Sequence, residues 1–125
     1  MSQELTLNSN IRFLKGGVDS GQISFASNVK QTITGTRMIH TAQSIGFAAR
    51  ELLQLGELAN VGYLEAINRD ATNFIELFLD ASTGAAFAKL KAGDSMRLPA
   101  NGNNATPAAK ADTTACLLEF IAVEQ

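Results

Sequence analysis

Along most of the chain, apolar and polar residues alternate one by one rather than recurring every three or four positions. Glu4-Leu5-Thr6-Leu7 and Gln22-Ile23-Ser24-Phe25-Ala26 both do so. In the apolar run Thr113 to Val123, Cys116, Leu118, Phe120 and Ala122 fall on one side. Leu117, Glu119, Ile121 and Val123 fall on the other. A period of two is that of a strand. The run Val29 to Thr41 is rich in threonine and branched residues. Such side chains fit a pleated surface and lose rotamers in a helix. Gly35 inside it is expected to split the run in two.

The clearest strand-turn-strand signal is Gly62 to Asp80. Gly62–Ile67 and Asn73–Leu79 are β-rich, and Asn68-Arg69-Asp70-Ala71-Thr72 between them supplies turn residues. That spacing predicts a hairpin. Further strands are expected at Ala85–Leu90 and Ser95–Leu98. Turns are expected at Val18–Gly21, Asp80–Gly84 and Lys91–Asp94. Pro99 to Asp112 contains both prolines and few large apolar residues, and reads as a long surface loop. Helical spacing surfaces once, in Ile45, Ala49, Leu52 and Leu53, with Gly56 placed as a C-cap. A one- to two-turn helix near residues 48–54 therefore competes with extended structure.

These elements sum to about eight to ten short strands and at most one short helix. The fold class expected is all-β, an antiparallel β-sandwich of jelly-roll type, with an immunoglobulin-like sandwich as the alternative. Residues 1–20 are expected to form an N-terminal arm or edge strand, and residues 21–125 a single sandwich domain.

Composition sharpens this reading. The chain has 125 residues, enough for one domain and one core. Charged residues make up 18%, below the ~25% of typical soluble domains. With so few groups to solvate the outside, part of it is expected to be covered by a partner. The net charge is −2, and no basic cluster exceeds Lys89/Lys91. There is no tryptophan and one tyrosine. Phosphate contacts and base-stacking platforms are both scarce, so no nucleic-acid partner is expected. The single cysteine permits no intrachain disulfide. No signal-peptide core and no run of ~20 apolar residues is visible, so no membrane association is expected, and the chain is read as folding in a cytosol.

The candidate chemistry is thin. His40 is the only histidine, with no nucleophile elbow to serve. Cys116 alternates with Leu118 and Phe120 and reads as a small buried hydrophobe. Glu65 and Glu76, on the two arms of the expected hairpin, could approach as a carboxylate pair, but no aromatic sugar platform accompanies them. Asn68, Asp70, Asn73 and Asp94 could offer oxygens to calcium, but turn residues binding their own backbone explain them better. One histidine is too few for the metal of a cupin-like enzyme. No catalytic, cofactor or metal residue is expected.

Leu55-Gly56-Glu57-Leu58, Val61-Gly62-Tyr63-Leu64, Ile67 to Glu76 and Leu90-Lys91-Ala92-Gly93-Asp94 together resemble small structural proteins of tailed bacteriophages. Those carry Leu-Gly-Asp, Gly-Tyr, Asn-Leu-Asp-Ala-Thr-Asn-Tyr-Val and Leu-Lys-Ala-Gly-Glu. Arg69 stands where that pattern has an apolar residue. The resemblance implies a β-sandwich virion protein made in the bacterial host cytoplasm. A capsid decoration (cement) protein, binding the major capsid protein as a homo-oligomer with a trimer favoured, is the first expectation. A tail or fibre module binding a host surface or carbohydrate is the alternative. The residues expected at interfaces are Leu5, Leu7, Ile11, Phe13 and Leu14 near the N-terminus, and Leu118 and Phe120 in the last strand.

Overall fold

The computed structural model describes residues 5–31, 37–56, 58, 61–82, 84–99 and 107–124. Every regular element among them is a strand, and every pairing is antiparallel. The chain divides into two compact units, Met1–Thr34 and Gly35–Gln125.

The first unit is a two-stranded hairpin of β1 (Leu5–Lys15) and β2 (Val18–Gln31). Its turn is Gly16-Gly17, with φ of 59° and 82°. Two successive left-handed residues give the turn whose twist matches the strands, and glycine adopts them without a Cβ penalty. Val18–Gly21, expected as a turn, thus lies inside β2. Asp19 Oδ1 there accepts the Gly21 N–H at 2.8 Å, and Arg12 pairs with Asp19 at 2.6 Å across the ladder. The register shifts between Arg12 and Leu14, so this reversal is an irregularity within the hairpin. The hairpin extends past residue 20, where the arm was expected to end.

Among the described residues, the second unit holds eight strands in two four-stranded sheets. The first sheet has the order β3 (Met38–Ile45), β10 (Cys116–Glu124), β5 (Val61–Asn68), β8 (Ser95–Pro99). The second has the order β4 (Glu51–Leu52), β9 (Ala108–Ala111), β6 (Ile75–Phe78), β7 (Ala88–Leu90). One face of each sheet supplies the core. Ile45, Leu64, Ala66, Leu118, Phe120 and Ala122 come from the first, and Ile75, Leu77, Leu90, Ala109 and Ala111 from the second. The alternation read in the last strand is realised, with Cys116, Leu118, Phe120 and Ala122 all buried.

Three local expectations are corrected. The Gly62–Asp80 segment is not a hairpin, because β5 and β6 belong to different sheets. Both arms bury apolar residues, Leu64 and Ala66 on one and Ile75 and Leu77 on the other. They meet across the core, and the connection arches from sheet to sheet. Residues 48–54 are not helical, since Glu51 and Leu52 pair with Ala109 and Ala108. Backbone pairing at a sheet edge outweighs weak helix propensity over so short a stretch. The expected loop Pro99–Asp112 contains β9, whose alanines lie against larger side chains of the core. The expected break at Gly35 lies outside the described residues.

Gly46 and Glu51 fix the approach to β4. The Glu51 carboxylate accepts the Gly46 N–H, and a Cβ on Gly46 would stand 2.7 Å from Glu51 Oε2. Replacing Gly46 with alanine is expected to displace that carboxylate and lower stability by about 1 kcal/mol, measured by urea unfolding.

Candidate functional site

At one end of the two-sheet unit, the β5–β6, β7–β8 and β9–β10 connections are knitted together by polar side chains. Asn68 is fully buried at the end of β5. Its Nδ2 donates to the carbonyls of Asn73 (2.8 Å) and Leu90 (3.0 Å), and its Oδ1 accepts the Asp70 N–H (2.9 Å). Its own backbone continues the ladder, donating to Asp94 O and accepting from Gly93 N. Asp70 Oδ2 accepts the N–H groups of Thr72 (3.0 Å) and Asn73 (2.7 Å). Asn73 Nδ2 donates to Thr114 Oγ1 at 3.0 Å, and Thr113 Oγ1 donates to Asn73 Oδ1 at 3.3 Å. Asp94 Oδ2 accepts the Lys91 N–H at 3.1 Å. Each of the four side chains weighed as a calcium ligand thus bonds to backbone or to a neighbouring side chain, in the manner of turn residues. Among the described residues, no group of three or more His, Cys, Asp or Glu is placed to hold a metal ion.

Cys116 is buried beneath this end, its Sγ 3.4 Å from Thr114 O. Burial pushes its thiol up, and Asp70 adds to the effect. A thiol held protonated is a poor nucleophile.

The outer face of the first sheet is the other notable surface. The strand register sets Ala42, Glu119, Ile67 and Ser95 side by side, and His40, Ile121, Glu65 and Arg97 in the next row. Glu119 lies between two partners, His40 Nε2 at 2.6 Å and Arg69 Nε at 2.7 Å. Arg97 Nε donates to Glu65 Oε2 at 3.3 Å. Arg69 thus has a partner in Glu119 that spacing alone does not reveal. Met38 and Leu117, at 66% and 46% exposure, flank these charges on the same face. Ile67, Ile121 and Tyr63 are half-buried there.

The hydrogen bonds from His40 and Arg69 hold the Glu119 carboxyl below its ordinary value of 4.5. The Asn73 and Thr72 N–H groups hold Asp70 below 3.8. Arg12 and the Gly21 N–H lower Asp19 likewise. Each of these carboxylates binds its proton more weakly folded than unfolded. The stability they contribute is complete above the unfolded values and is lost as pH falls through those values and then the depressed native ones. Urea midpoints are expected to be flat near neutrality and to fall once the pH drops into the carboxylate range. In Glu119→Gln that acid limb should be shallower.

Glu65 and Glu76 are not brought together. Glu65 lies on the outer face of the first sheet, while Glu76 is on β6 of the second, in register with Lys89 and Lys110. Leu118 and Phe120, expected at an interface, are instead core residues with 0% and 1% exposure. Parity along β10 explains this: the strand turns its even positions inward and presents Leu117, Glu119 and Ile121. Leu14 is 64% exposed at the hairpin tip. Leu5, Leu7, Ile11 and Phe13 lie on β1, and their side chains fall outside the described set.

Fold and surface together define an all-β protein of two antiparallel sheets preceded by a long hairpin. Among the described residues no helix is long and apolar enough to cross a membrane. Compared with known proteins, the chain matches no protein-family model, no curated protein and no solved structure.

Proposed function

We propose that this is a non-enzymatic virion structural protein of a tailed bacteriophage, a capsid decoration protein that binds the shell of the major capsid protein as a homo-oligomer. The observation that carries the reading is what the residues of the resemblance do. Asn68, Asp70, Asn73 and Asp94 all bond to backbone or to neighbouring turn side chains. The segment that resembles phage structural proteins thus acts as a joint between the sheets. That is what a protein acting through buried area and shape, without chemistry, would keep. The low charge content and the long N-terminal hairpin fit the same role.

The eight strands are read as a jelly roll. Successive strands from β3 to β6 alternate between the two sheets, and β7 to β10 return in the same manner.

Quantitative gels of purified particles test the function. Hundreds of copies per virion, and co-sedimentation with shells lacking the protein, are the expected result. A handful of copies located in the tail would overturn it in favour of a tail module for a host surface.

A further inference from the structure

Among the described residues, two polar side chains are buried, Asn68 and Gln43. Asn68 ties the connections at one end of the two-sheet unit. Gln43 is 7% exposed and takes an inward position of β3, in register with the core residue Leu118. An amide buried there costs free energy unless its polar atoms are bonded, and both of them are. Nε2 donates to Leu52 O at 3.1 Å, and Oε1 accepts the Gln54 N–H at 2.8 Å. These bonds cross from one sheet to the other, because β3 is an edge of the first sheet and β4 an edge of the second.

The two bonds have the pattern of a strand pairing. In an extended chain, the C=O of one residue and the N–H of the residue two further on point to the same side. The residue between them turns its own groups to the other side. There the Leu53 N–H donates to Pro107 O at 2.9 Å and continues the pairing of β4 with β9. Leu52 O and the Gln54 N–H therefore lie on the outward side of β4, where a further strand would add. The Gln43 amide offers one donor and one acceptor there, as the backbone of a neighbouring strand would. Past Gln54 the chain comes close to β3 again, since a Cβ on Gly56 would stand 3.4 Å from Ile39 Cδ1. The other two edge strands are protected by other means. β8 ends at Pro99, which has no N–H to give, and β7 is three residues long and carries Lys89.

We infer that Gln43 is a latch: it occupies the outward hydrogen-bonding groups of β4 and so closes this side of the sandwich against a strand from a second copy of the chain. Leu52 is 52% exposed, so the segment is otherwise within reach of another chain. With the latch removed, Leu52 O and the Gln54 N–H become a template for strand addition. The inference goes beyond the virion reading and does not depend on it.

Amide hydrogen exchange by NMR and sedimentation velocity, both on the full chain, test it with Gln43→Ala and Gln43→Leu. In both variants the Gln54 amide should exchange at least about tenfold faster than in wild type, beyond any change at the Phe120 amide in the middle of the first sheet. Both should also form species larger than those of wild type, growing with concentration. Adding Gln54→Pro should abolish that growth, because it removes the N–H that an incoming strand needs. Leucine separates a latch from a filler, since it fills the space and cannot bond to backbone. Wild-type exchange at Gln54 in Gln43→Leu overturns the latch. Faster exchange without new association, or association that survives Gln54→Pro, overturns its role in closing the edge.

Discussion

Replacing Asn68 with leucine is expected to lower stability by about 3–4 kcal/mol, although the two side chains are of similar size. Three backbone groups lose their partner at once: the carbonyls of Asn73 and Leu90 and the N–H of Asp70. Each buried or half-buried group left unpaired costs about 1 kcal/mol or more, and water has no route to a residue that is fully buried. Against a total of about 5–15 kcal/mol, this is a large fraction. The melting temperature should drop by about 10–20 °C. Urea unfolding with an unchanged slope would show that the loss is in stability. Asn68→Asp keeps the acceptor but turns a carboxyl oxygen towards the carbonyls of Asn73 and Leu90 in a buried site, and is expected to cost at least as much. A leucine variant as stable as wild type would mean that the three connections are held by something other than this side chain.

The second large effect is expected at Phe120. Its replacement by alanine should cost about 3–5 kcal/mol, from lost transfer energy and the cavity left in a core that cannot fully collapse. The ring is 1% exposed and belongs to the cluster shared by both sheets. Its neighbour Leu117 is 46% exposed on the opposite face, and Leu117→Ala should change monomer stability by no more than about 1 kcal/mol. The contrast checks the assignment of faces along β10. A Phe120→Ala protein that folds normally yet fails to assemble would place Phe120 at an interface, as strand pattern alone allows.

The contrast also shows how far the sequence carries. The all-β class was legible because β-branched residues and period-two alternation recur over nearly the whole chain. The two faces of β10 were legible too, since a strand offers only two. Which of two apolar faces is core was not, because Leu118 and Ile121 are equally hydrophobic and only the opposite sheet decides. The Gly62–Asp80 segment misled for a related reason. A five-residue polar connection joins strands within a sheet or across a sandwich, and Asn68 at the junction is the residue that would have told them apart. It serves distant carbonyls rather than a local turn alone. The Gly16-Gly17 turn carried a usable signal, a two-residue glycine pair between strand-like runs, that the flanking Val18–Gly21 turn chemistry obscured. β9 carried almost none, since Ala-Ala-Lys-Ala has little β propensity, and its buried alanines pair with β6 only once the second sheet forms around them. Of the site, the turn oxygens were read as structural from residue type. The Glu119–Arg69 and Glu119–His40 pairs join positions far apart in sequence, which no local pattern records.

The place of β10 between β3 and β5 has a kinetic consequence. Met38 finds Val123 and Ile45 finds Cys116, so the first sheet has no centre until the far end of this segment arrives. Until then β3 and β5 each present an unsatisfied edge and an unburied apolar face. Loops this long close slowly, and folding is expected in the millisecond-to-second range typical of such topologies. The interval during which chains can pair with one another instead of themselves is correspondingly long. A chain folded on this plan depends on the speed of one strand insertion.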